Sequence, residues 1–145
     1  MKIAVLCLSM SLLTGCAAMP DPRIETTVPA ITGRVTHDQQ PVAGARVSFH
    51  HVLDKSGCAM SKDQAVTGAD GRFAIPTRKR FKFWRIFGDP LIRWGICVAT
   101  ADQTYVGWRG MGIGIPPDSV GFSCELTAIE AETGNGRGIC SVSDE

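Results

Sequence analysis

From residue 30 onward, apolar side chains recur at every second position and nowhere hold a 3.6-residue period over a helical window, and this restricts the chain more than any other feature. Successive side chains of a strand point to opposite faces, so such alternation buries one face and wets the other. Ile31, Gly33 and Val35 alternate with Thr32, Arg34 and Thr36, and the polar stretch from His37 to Gln40 then makes a turn. Ala45, Val47 and Phe49 alternate with Arg46, Ser48 and His50; a loop from Leu53 to Asp63 leads to a short strand at Ala65 to Thr67. Ala69-Asp70-Gly71 has hairpin chemistry, because glycine accepts the positive φ that tight turns need. Phe73 and Ile75 carry the next apolar face, which Pro76 ends. Ile92, Trp94, Ile96 and Val98 form another apolar row, leaving Cys97 on the opposite face. Thr104 to Arg109 reads as a return strand, and Val120, Phe122, Cys124 and Leu126 as the last one. The glycine-rich stretches Gly110 to Asp118 and Thr133 to Gly138 read as loops. The expected fold class is therefore all-β, a sandwich of short strands.

The N-terminus sets the compartment. Met1-Lys2 and an apolar run from Ile3 to Leu13 have the layout of a secretory signal. That run is shorter than the roughly 20 residues a membrane-spanning helix needs. Leu13-Thr14-Gly15-Cys16 resembles the bacterial lipobox, which implies cleavage before Cys16, a diacylglyceryl thioether on its sulfur and acylation of the freed amine, with palmitate-type chains. The competing reading is an ordinary signal peptide that contains a cysteine. Ala17, in place of an aspartate, implies sorting to the periplasmic face of the outer membrane. Three segments are expected: a signal peptide at 1–15, a lipidated N-terminus and flexible tether at 16–29, and one domain at 30–145. The tether rests on Pro20, Pro22 and Pro29 among polar residues. Loss of Lys2 leaves 14 basic against 14 acidic side chains, a balance that argues against bulk attraction to nucleic acid.

Of the six cysteines, Cys7 leaves with the signal and Cys16 carries lipid, so Cys58, Cys97, Cys124 and Cys140 remain. An even set in an exported chain implies two disulfides, for which three pairings exist and between which sequence does not choose. The pairing taken as an expectation is Cys124 with Cys140, closing the glycine-rich tail, and Cys58 with Cys97, tying a long loop to a strand. A zinc site is the rival use of four thiols, but no two of them have Cys-x-x-Cys spacing.

Three runs carry a family pattern: Ile31-Thr32-Gly33-Arg34-Val35, Pro41-Val42-Ala43-Gly44-Ala45-Arg46-Val47, and Thr67-Gly68-Ala69-Asp70-Gly71-Arg72-Phe73-Ala74-Ile75. Together they resemble the carboxypeptidase regulatory-like domain, over Ala30 to Ile75 and more weakly to Thr100. The resemblance implies a seven-stranded Greek-key sandwich of the transthyretin-like (prealbumin-like) type, used as a non-catalytic folding, adhesion or binding module. Some transthyretin-like proteins hydrolyse 5-hydroxyisourate and end in a Tyr-Arg-Gly-Ser-type motif. Here the one tyrosine, Tyr105, is followed by Val106-Gly107, so that activity is not expected.

No other chemistry gathers in the sequence. His50 and His51 are neighbours and point to opposite faces of a strand, and His37 lies in a turn, so no metal site, no catalytic residues and no cofactor are expected. The segment Arg78-Lys79-Arg80-Phe81-Lys82-Phe83-Trp84-Arg85, followed by Ile86 and Phe87, concentrates cations and aromatics that the resemblance does not explain. One reading is a strand-edge loop whose Phe81, Phe83 and Phe87 pack into the domain while the cations stay in water. The others are a contact with anionic headgroups or lipopolysaccharide, or a hot-spot patch for an envelope protein partner. The chain is thus expected to be a lipid-anchored, non-enzymatic binding or structural module of the cell envelope. The alternative is a periplasmic inhibitor, immunity-type or secretion-system accessory lipoprotein.

Overall fold

The computed structural model describes residues 18–51, 58, 61–86, 91–114, 116–133 and 136–143. Thirteen strands and no helix occur among them. In chain order they are β1 (Ala18–Val28), β2 (Ala30–His37), β3 (Gln40–Pro41), β4 (Arg46–His50), β5 (Gln64–Val66), β6 (Arg72–Ile75), β7 (Arg78–Ile86), β8 (Leu91–Ala99), β9 (Thr104–Ile113), β10 (Ser119–Glu125), β11 (Ala131–Thr133), β12 (Gly136–Gly138) and β13 (Cys140–Ser143).

The alternation read from the sequence builds a β-sandwich-like body. One sheet runs β13-β10-β2-β3, with β6 also paired to β2; the other runs β11-β12-β9-β8-β4-β5. The pairing of β10 with β2 is parallel, and the others are antiparallel. Ile31, Val35, Phe73, Ile75 and Phe122 from the first sheet meet Val47, Phe49, Trp94, Ile96 and Trp108 from the second in one buried cluster. Trp108 stacks between them, its ring 4.7 Å from Trp94 and 5.6 Å from Phe122. Such aromatic pairs contribute about 0.5–1.5 kcal/mol beyond the area they bury.

Turn chemistry fixes the register. Gly44 and Gly71 both sit at φ 75°, a left-handed conformation that side chains resist. Thr67 staples the first of these turns, donating its hydroxyl to the Val42 carbonyl and accepting the Ala45 amide. The β2–β3 turn is less expected, since Asp38 and Gln39 take φ 49° and 65° without being glycine. Glu125 at the end of β10 offsets that strain: its carboxylate accepts the Asp38 amide at 2.9 Å and the Gln39 amide at 3.0 Å.

The disulfides are Cys58–Cys97 and Cys124–Cys140, the expected pairing. Cys124 and Cys140 lie directly opposite each other on β10 and β13. Cys97 stands beside Ser48 of β4, on the face opposite Ile96 and Val98, as the strand parity requires.

Three segments differ from the sequence reading. The stretch read as a tether forms β1, eleven residues paired antiparallel with β7. Its prolines are compatible with a strand because β1 has no second neighbour among the described residues, so a missing N–H on its other edge breaks no ladder there. The pairing slips by one residue between Pro20 and Arg23, around Pro22. Next, β9 continues through Gly110 and Gly112 to Ile113, where a loop was expected. Finally, the glycine-rich tail supplies β11, β12 and β13. Its glycines are there for close approach: a Cβ at Gly138 would run into the backbone of Gly107, and one at Gly136 into the Trp108 indole.

Candidate functional site

The cationic, aromatic segment is β7, and with β1 it makes a two-stranded ribbon that is a sheet of its own. Register places Ile24 opposite Phe81, Arg23 opposite Lys82, and Glu25 opposite Arg80. Side-chain alternation therefore divides the ribbon into two faces.

One face is ionic. Arg23 pairs with Asp21 at 2.9 Å and with Glu25, and Lys82 reaches Glu25 at 3.4 Å. Partial burial works to raise the Glu25 pKa, but the hydrogen bond from Arg23 and the charges of Lys82 and Arg23 outweigh it and hold the carboxyl below its ordinary value. The other face is apolar. Phe81 and Phe83 share it with Ile24, and these three are 64%, 47% and 70% exposed. Toward the end of the ribbon away from Val28, Met19 and Trp84 are also exposed; Trp84 has the parity of Lys82 and so belongs to the ionic face, and its ring lies edge to face with that of Phe83 at 5.3 Å.

The root of the ribbon is tied into the body. Val28 and Pro29 are fully buried, and the Thr26 hydroxyl donates to Asp118 at 2.9 Å. Arg78 forms an ion pair with buried Asp63, and the Thr77 hydroxyl donates to the Val28 carbonyl at 3.0 Å.

These contacts sort the residues singled out in the sequence. Arg78 and Lys82 are engaged in ion pairs, whereas Lys79 and Arg80 are exposed and have no ion pair among the described residues. Phe81 and Phe83 do not pack into the domain, which corrects the strand-edge loop reading; Phe87 lies outside the described residues. Their neighbours across the ribbon are an isoleucine and a slipped, proline-bearing stretch at its far end, so no core is available there to bury them. Arg85 belongs to β7, and its side chain lies outside the described residues, as does Cys16. Sequence reading missed Met19, Ile24, Arg23 and Glu25, because the prolines around them conceal a strand whose partners are 55 to 66 positions away.

The histidines stay apart in their contacts. His50 lies 2.9 Å from the Ser48 hydroxyl and burial lowers its pKa; His51 meets the edge of Phe49 at 5.0 Å; His37 faces Asp38 at 3.6 Å. Among the described residues no three His, Cys, Asp or Glu side chains converge as a metal site. An apolar cleft of about 400 Å³ opens at one end of the sandwich, lined by Ile92, Trp94, Trp108, Met111, Pro116 and Val120.

Fold and site together define a disulfide-bonded all-β domain with a separate two-stranded ribbon that is cationic and aromatic. The chain belongs to the DUF6795 family, a domain of unknown function whose model matches residues 31–128. That span covers β2 through β10 and so includes β7 of the ribbon but not β1. No curated protein and no solved structure matches the chain.

Proposed function

We propose that this chain is a lipid-anchored, non-enzymatic module of the bacterial cell envelope, held through Cys16 and working by contact rather than by catalysis. The observation that supports it is the ribbon: cations and exposed aromatics lie on a strand pair that begins two residues after Cys16. A thioether-linked anchor needs two or more acyl chains for lasting attachment, and the lipobox resemblance supplies them. The finer reading of the body is a transthyretin-like, Greek-key core of seven strands to which the ribbon and tail strands are additions. In its support, the three runs that carry the resemblance form β2, β3 with β4, and β6, all in the body. The test is Cys16→Ser, which releases the protein from the membrane fraction; a variant that stays bound in full contradicts lipid anchoring.

A second reading, an inhibitor, immunity-type or secretion-system accessory lipoprotein, draws on a different surface. Leu91 and Ile113 are cross-strand partners, both exposed, beside the cleft that Met111 lines. Exposed apolar patches of this kind suit a protein partner. Capture by crosslinking at Ile113 in intact cells tests it, and no crosslinked protein would count against it.

A further inference from the structure

We propose that the β1–β7 ribbon lies along the membrane, with its Ile24, Phe81 and Phe83 face in the headgroup region of an anionic bilayer. The inference deepens the envelope reading and rests on it for the position of Cys16. Three observations carry it.

The first is length. Ala18 follows Cys16 by two positions, with Ala17 between them, and at about 3.6 Å per residue the chain reaches about 7 Å. Pairing with β7 makes β1 a stiff element from its first residue, about 36 Å long for its eleven residues. A ribbon that starts this close to a lipidated cysteine has its first residues, with Met19 and the nearby Phe83, at the bilayer surface.

The second is where the apolar groups are. A ribbon standing upright would need them only at the end next to the anchor. Ile24 and Phe81 instead face each other six residues along β1 and are still 70% and 64% exposed. The apolar face continues away from the anchor, which fits a ribbon lying down. Phenylalanine and isoleucine suit the apolar face of an element lying in the interface, and lysine and arginine keep their heads in the phosphate layer.

The third is charge. Arg23, Arg78, Lys79, Arg80, Lys82 and Arg85 against Asp21 and Glu25 give the ribbon a net charge of +4. Because residues 16–145 carry equal numbers of basic and acidic side chains, the remainder is −4. The molecule is polarised, so an anionic surface attracts the ribbon and repels the body. Lys79 and Arg80, without ion pairs among the described residues, are the cations available to headgroups.

Phe83→Trp in a Trp84→Phe background reads the contact directly, because Phe83 lies on the docking face and is 47% exposed, while Trp94 and Trp108 are 8% and 5% exposed. The purified full-length product is incorporated into vesicles whose acyl chains are brominated, with or without phosphatidylglycerol, and tryptophan quenching is recorded. The expected result is strong quenching in the anionic vesicles, weak quenching in zwitterionic ones, and loss of the signal in Trp84→Phe alone, which keeps Phe83. Equal, negligible quenching in both overturns the docking and leaves the ribbon to a protein partner. Mass spectrometry of the same preparation reads acylation of Cys16 separately, so failure of the anchor is distinguished from failure of the docking. The unanchored chain, Cys16→Ser, should still partition onto anionic vesicles at low salt. Lys79→Gln with Arg80→Gln should weaken that partition roughly 30-fold, taking each surface cation at its usual contribution of about 1 kcal/mol. An unchanged partition overturns the role of these two cations and, with them, the proposal.

Discussion

The body and the ribbon use the same residue types in opposite ways. Phe49, Phe73 and Phe122 are between 1% and 5% exposed, whereas Phe81 and Phe83 are 64% and 47% exposed. The difference follows from pairing. Each inner face of the body has a second sheet to pack on, and the ribbon, two strands wide, has none. Alternation alone therefore marks which residues share a face. It does not say whether that face meets a core or a surface. This contrast supports assigning stability to the body and contact to the ribbon.

The largest test of that division compares two phenylalanines. Phe122→Ala should cost about 3–5 kcal/mol, since Phe122 packs against both core tryptophans, while Phe81→Ala should stay within about 0.5 kcal/mol. Chemical denaturation measures both, and equal losses would erase the distinction. Next in size is the bridge between β10 and β13. Cys124→Ser with Cys140→Ser should cost about 2–4 kcal/mol, because the loop it closes spans 16 positions and its half-cystines are buried in the core.

Glu125 sharpens the comparison through pH. Burial works to raise its pKa, but the Gln39 amide, the Thr127 hydroxyl and amide, and the Thr36 hydroxyl hold it down to about 2. A carboxyl depressed in the folded state stabilises fully above its unfolded value of 4.5, and that contribution is lost as pH falls from there towards 2. Glu125→Gln should cost about 1–3 kcal/mol at neutral pH and flatten the acid limb of the stability curve. An acid limb as steep as before would remove Glu125 from this role. The smallest effect is expected at Glu25→Gln, on the ribbon. Its ion pairs with Arg23 and Lys82 are partly exposed, so melting should shift by less than about 1 kcal/mol, while binding to anionic vesicles should tighten as two cations are freed. A large melting shift would make the ionic face part of the fold.

Much of the body was legible in the sequence, because its information is local. Ile31 and Val35, Val47 and Phe49, and Phe73 and Ile75 declare their faces by alternation, and Gly44 and Gly71 declare their turns. The disulfide partners also followed the expected reading. The ribbon was legible in β7 and hidden in β1, where Pro20 and Pro22 resemble a linker unless the strand partner is known. The tail was misread for a related reason. Gly136 and Gly138 signal a loop by composition, yet they are required where β12 presses on Trp108 and Gly107. Glu125 could not be identified beforehand, since its role depends on a turn that lies 86 positions away in the chain.

The division between body and ribbon meets its most direct test in the thermal melt of the full chain carrying Ile24→Ser, Phe81→Ser and Phe83→Ser together. With these side chains on an outer surface, the melting curve should overlay that of the unsubstituted protein. A melting point lowered as far as by Phe122→Ala would contradict the account and place the ribbon's apolar face in the core.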